Sequence, residues 1–173
     1  MLSKPYADWT TLTYKDFSES ISYLDDIPMI WLKAFKIYLE HIAKECLQDI
    51  CPLHITGDCE GYNVHIVVDK YSITLYTNED GEQIYLDFDI DYLDFIERIC
   101  QDFENNIEDW AKWAVFEIDK EEILLASQER KIKILEDISI VRRLVKEIRD
   151  EEARLWEERE KRFKELYNET RII

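Results

Sequence analysis

After Gly81 the sequence contains no glycine, and after Pro52 no proline, so residues 82–173 of this 173-residue chain run without the two residues that most often interrupt a helix. That stretch must be mainly helical. Phe95 or Ile96, Ile99, Cys100, Phe103, Ile107 and Trp110 recur at three- and four-residue steps and predict a helix from about Asp91 to Trp113. Asp119 and Glu122 form a reciprocal cap pair, with Asp in place of the usual Ser or Thr, and open a further helix. In it Ile134, Ile138, Val141, Val145 and Ile148 step by four, three, four and three, the spacing of a heptad seam. Beyond Ile148 the apolar residues thin to Leu155, Trp156, Phe163, Leu166 and Tyr167. Here Asp150–Arg154, Glu157–Lys161, Glu158–Arg162 and Glu160–Lys164 pair at four-residue spacing, as on a solvated helix. If continuous from residue 119 onward, at about 1.5 Å per residue, this helix spans roughly 80 Å and must protrude, fold back or pair with another chain.

The first part of the chain changes period. Phe17, Ile21 and Leu24 predict a short helix over about Lys15 to Leu24. Asp25-Asp26-Ile27-Pro28 then reads as a helix start, and the helix runs to about Ile50 on a stripe of Trp31, Phe35, Tyr38, Leu39, Ile42, Cys46 and Ile50, ended by Pro52. Gly57 and Gly61 flank a loop. Tyr62, Val64, Ile66 and Val68, then Tyr71, Ile73 and Leu75, then Ile84, Leu86, Phe88 and Ile90 alternate with polar residues, with Asp69-Lys70 and Asp80-Gly81 as tight turns. The expected fold is α+β: N-terminal helices on a three-stranded antiparallel meander, followed by an acidic helix and a long C-terminal helix with coiled-coil character. Two regions follow, an acidic globular domain over residues 1–118 and a charged helical extension over 119–173.

Charge separates the same two regions. Residues 1–118 hold 24 acidic and 8 basic side chains, whereas residues 119–173 hold 15 and 14, so nearly all of the net charge of −17 belongs to the first. Phosphate backbones and anionic membranes repel such a surface, so nucleic acid and membrane are excluded as direct partners and a basic protein is favoured. No apolar run reaches the length of a membrane span, and the first residues have no signal-peptide pattern, which predicts a soluble cytoplasmic protein. In that compartment Cys46, Cys51, Cys59 and Cys100 stay reduced.

The stretch YLDFDIDYLDF, residues 85–95, concentrates this charge. On a strand Leu86, Phe88 and Ile90 would enter the core while Asp87, Asp89 and Asp91 line the outer face. On the helix that follows, Asp94, Glu97, Glu104 and Glu108 recur on one side, so strand and helix would present one row of carboxylates. These seven residues are the predicted partner-binding site. The Asp-x-Asp-x-Asp spacing does not make a calcium loop, because Tyr92 occupies the glycine position and Arg98 the position of the closing Glu.

Other chemistry finds little material. Cys46, Cys51, His54 and Cys59 have zinc-binding side chains but not the paired-cysteine spacing of a zinc knuckle, and no metal or cofactor is expected. His41, His54 and His65 lack a nucleophile elbow, and three glycines leave little for a phosphate-cradling loop. The expected function is therefore non-enzymatic: an acidic protein that inhibits a nucleic-acid-binding protein or nuclease by presenting a DNA-mimicking carboxylate surface. In general character it resembles phage anti-CRISPR and anti-restriction proteins, a likeness of composition and not of motif, which would place it in the cytoplasm of a bacterial host. The alternatives are an immunity or antitoxin protein covering a basic toxin, and a coiled-coil structural adaptor. A homodimer is expected through the C-terminal helix, with Leu155, Trp156, Phe163 and Tyr167 at the contact.

Overall fold

Strands open the chain. In the computed structural model, which describes residues 1–44, 51–78, 84–87, 91–113, 115 and 119–170, β1 (Trp9–Tyr14) and β2 (Phe17–Ser22) form an antiparallel hairpin where a helix over Lys15–Leu24 was the expectation. Phe17 and Ile21 are four residues apart, a spacing that suits a helix and a strand equally. What decides is upstream. Thr10, Leu12 and Tyr14 are buried on alternate positions of β1, and Lys15 takes a positive φ of 50° that turns the chain back so that Phe17 pairs with Tyr14.

Helix α1 (Ile27–Lys44) begins at the predicted Asp-Asp-Ile-Pro signal and buries Trp31, Leu32, Phe35, Tyr38, Leu39 and Ile42. The predicted continuation through Cys46 to Ile50 lies outside the described residues. The second sheet then has four antiparallel strands rather than three, in the order β3 (Leu53–Asp58), β4 (Asn63–Asp69), β5 (Ser72–Thr77) and β6 (Ile84–Asp87). β3 occupies part of the expected loop. Its inward positions are Leu53, Ile55 and Gly57, only two of them apolar, so its alternation is faint in the sequence. Gly57 is there for space: a Cβ would sit 2.7 Å from Cγ2 of Ile21, so the hairpin closes directly on the strand backbone. The indole Nε1–H of Trp31 donates to the Thr56 carbonyl at 2.7 Å and fastens α1 to the same strand.

The β1–β2 hairpin crosses the inner face of this sheet from Ile21 at Gly57 to the Tyr14–Lys15 turn at Asp87. That crossing sets the register of β6 and reverses the expected one. Leu86 and Ile84 are exposed on the outer face, opposite Thr74 and Tyr76, whereas Asp87 is buried at 7 % exposure. Alternation fixes only that Leu86 and Asp87 point opposite ways, and a one-residue shift exchanges the faces. Asp87 is tolerated inside because it accepts from the Tyr14 hydroxyl at 2.8 Å and from Lys15 Nζ at 2.5 Å. Tyr85 packs edge-on against Tyr14 at 5.8 Å, on the same inner side.

Two helices replace the single one expected over Asp91–Trp113. α2 (Tyr92–Asn105) is capped by Asp91, whose carboxylate accepts from the backbone of Leu93 and Asp94, and α3 (Ile107–Lys112) follows after a break at Asn106. α4 (Lys120–Thr170) is continuous for 51 residues, about 75 Å, and starts after Asp119, which accepts from the Glu121 backbone. All five seam residues, Ile134, Ile138, Val141, Val145 and Ile148, are buried against α1, α2 and α3. The division after residue 118 therefore marks a change of charge, not of packing, because the middle of α4 completes the core. Asp137 is buried in that seam with Lys36 of α1 at 2.8 Å and Lys133 at 3.2 Å, and Arg130 makes a two-pronged bond to Asp26 at 2.6 and 2.8 Å.

Candidate interaction surfaces

The carboxylate row of α2 and α3 runs beside α4, part-exposed and paired with its basic side chains. Arg149 of α4 reaches Asp94 at 2.5 Å and Glu97 at 3.0 Å, Arg142 reaches Glu104 at 2.8 Å, and Lys131 pairs with Glu108 of α3. Arg142 also donates to the side-chain carbonyl of Gln101, one turn before Glu104 on α2, at 3.3 Å. Its guanidinium hydrogen bond holds the Glu104 carboxyl below the usual range, and Glu104 in turn raises the Arg142 pKa. Of the other predicted partner-binding residues, Asp91 is spent as the α2 cap, Asp87 is buried with Tyr14 and Lys15, and Asp89 lies outside the described residues. The structure thus gathers Asp94, Glu97, Glu104 and Glu108 into one line, as the spacing requires, and lays a basic line of α4 along it. That basic line was readable: Lys131, Arg142 and Arg149 are separated by 11 and 7 positions, three and two helical turns, and so share one side of α4.

The second candidate surface is the end of α4. Lys70, on the turn between β4 and β5, pairs with Glu152 at 3.2 Å. Beyond it Trp156 (69 %), Phe163 (70 %), Leu166 and Tyr167 are exposed, and Leu155 is partly covered. Trp156, Phe163 and Leu166 each follow a buried residue, Ile138, Val145 and Ile148, by 18 positions, which is five turns at 3.6 residues per turn. The exposed stripe therefore continues the docking seam on the same side of the helix, past the rim of the domain. Trp156 and Phe163 border a shallow apolar groove of about 310 Å³ with Arg159 and Glu160. Intrahelical pairs stiffen this part: Arg154 bonds Glu151 and Glu158, and Lys164 bonds Glu160.

The remaining chemistry-bearing side chains are dispersed. His54 and His65 meet on the outer face of the sheet, ring nitrogens 3.0 Å apart, with His65 stacked on Tyr76 at 4.6 Å; burial and then His54 lower the His65 pKa. Cys51 is exposed, while burial pushes the Cys59 thiol up to about 11 and that of Cys100 up to about 12. Of the candidate zinc ligands, Cys46 lies outside the described residues, and among those described no three His, Cys, Asp or Glu side chains gather as a metal-binding group. Among the same residues no helix is long and apolar enough to cross a membrane. No protein-family model, curated protein or solved structure matches the chain.

Proposed function

We propose that this chain is a non-enzymatic adaptor: an acidic head of α+β architecture that docks onto another protein helix through the projecting end of α4. The observation that carries the reading is the exposed stripe of Trp156 and Phe163 in phase with the buried seam. Large aromatic side chains on a stiff helix lose little entropy on binding and supply most of the energy at protein interfaces. Each buries roughly 150–250 Å² when covered, which at about 25 cal/mol per Å² is worth several kcal/mol. The head adds a preference. Its excess of acidic residues favours basic proteins and speeds their encounter. Inhibition of a nucleic-acid-handling protein by charge mimicry draws support from that excess alone once the α2 row is paired within the fold.

Photocrosslinking in the cells that produce the chain tests the adaptor. Benzoylphenylalanine placed at position 163 should give a protein adduct, and the same group at the exposed position of Lys33 on α1 should not. Equal adduct formation at the two positions, or none at 163, overturns the proposal.

A further inference from the structure

Resting on that adaptor reading, we infer that the helix received by the end of α4 is the same segment of a second copy, running antiparallel. The placement of the stripe limits the orientation. Because Trp156 and Phe163 lie on the side of α4 that holds the domain, a partner helix seated on them occupies the space directly beyond the domain rim. A parallel copy entering there would have to run its residues 120–150 through the first copy's own head, which is packed on Ile134 to Ile148. An antiparallel copy arrives from the opposite end and stops at the rim, near the β4–β5 turn where Lys70 holds Glu152 and Tyr71 is exposed.

Charge selects the same arrangement. Residues 150–158 hold five acidic side chains against Arg154, net −4, and residues 159–167 hold Arg159, Lys161, Arg162 and Lys164 against Glu160 and Glu165, net +2. Parallel pairing would set acidic half on acidic half and basic on basic. Antiparallel pairing sets each acidic half against the basic half of its partner, in any register that overlaps the two. It also brings Trp156 of one copy toward Phe163 of the other, which lie on either side of the change of sign between residues 158 and 159. The heads, with 24 acidic against 8 basic side chains over residues 1–118, end up at opposite ends of the paired helices, where their repulsion is least. A symmetric pair of this kind closes on itself and stops at two chains.

The test uses the purified full-length chain. Sedimentation equilibrium should show a dimer at micromolar concentration, weakened at least about tenfold by Phe163→Glu, a loss of about 1.4 kcal/mol, with helix content by circular dichroism unchanged. Benzoylphenylalanine at position 163 of the purified chain should then crosslink to residues 150–159 of the second copy, as mass spectrometry of the digested adduct reads directly. Adducts confined to residues 160–170 would indicate parallel pairing and overturn the orientation. A monomeric full-length chain, or a dimer indifferent to Phe163→Glu, overturns the second copy as occupant. In that event a heterologous adduct at position 163 in cells leaves the adaptor standing, and its absence removes both.

Discussion

Replacing Asp87 by alanine separates the observed register of β6 from the one its alternation suggests. Asp87 is 7 % exposed and accepts from the Tyr14 hydroxyl at 2.8 Å and Lys15 Nζ at 2.5 Å. Without it, the hydroxyl of Tyr14, itself 6 % exposed, loses a charged acceptor inside the protein, which costs about 1–3 kcal/mol. The Lys15 side chain is 54 % exposed and recovers water, so its pair adds little to the loss. The expected loss is about 1–3 kcal/mol in urea-unfolding free energy at neutral pH, read as a lower midpoint at constant slope. An outward Asp87 among like charges would instead leave stability unchanged or slightly raised, so a loss below about 0.5 kcal/mol refutes the buried placement. There is a companion in pH. Burial, and then the bond to Asp87, push the Tyr14 pKa from 10.0 to about 12. The fold favours the neutral phenol, so this contribution to stability is complete below pH 10 and is lost as pH rises toward 12. In Asp87→Ala the ionisation of Tyr14, followed by ultraviolet absorbance, should move down while staying above its ordinary value, because burial remains.

Three further outcomes follow from the packing of α4 and the cysteines. Asp137→Ala should cost about 2–4 kcal/mol in urea unfolding, below the upper range for broken buried pairs because Lys36 keeps 25 % exposure, and Asp137→Leu with Lys36→Met should regain most of it. Arg149→Glu, facing the part-exposed Asp94 and Glu97, should lower stability by about 0.5–1.5 kcal/mol at low salt and less at high salt, with part restored by adding Asp94→Lys; a loss independent of salt would count against the pairing. Thiol-specific labelling of the folded protein should modify Cys51 well before Cys59 or Cys100, whose thiols burial keeps protonated; labelling at equal rates would contradict their placement.

What the sequence made legible was the run of helices, because a stretch with neither glycine nor proline and with clear periods of three and four leaves few alternatives. The start of α1 at Asp25-Asp26-Ile27-Pro28, the cap at Asp119 and the burial of Ile134 to Ile148 all follow from local chemistry. What it hid depended on which segments pair and pack together. Phe17 and Ile21 fit two periods, and pairing with Tyr14 and Thr10 chose the strand. β3 carries a glycine where a third apolar residue would have announced it, because Ile21 occupies that space. Asp87 reads as a surface residue until Tyr14 and Lys15, more than 70 positions earlier, are brought beneath it. The carboxylates of the candidate site were found at the right spacing, but spacing within one helix says nothing of what lies against it.

That last point bears on how a net charge of −17 is distributed. In its docked part α4 is asymmetric across its width, with Lys131, Arg142 and Arg149 along one side that meets Glu108, Glu104, Glu97 and Asp94. In its projecting part the asymmetry runs along the length, acidic before residue 159 and basic after it. Charge sorted across a helix suits a fixed neighbour on one flank, which is what the α2 row provides. Charge sorted along a helix, here −4 followed by +2, cancels in large part and offers no flank a preferred sign, so it attracts chiefly a rod whose charge runs the other way. Among rods, another copy of the same segment meets that condition whenever it is reversed, and the aromatic pair Trp156 and Phe163 gives such an encounter apolar surface to bury.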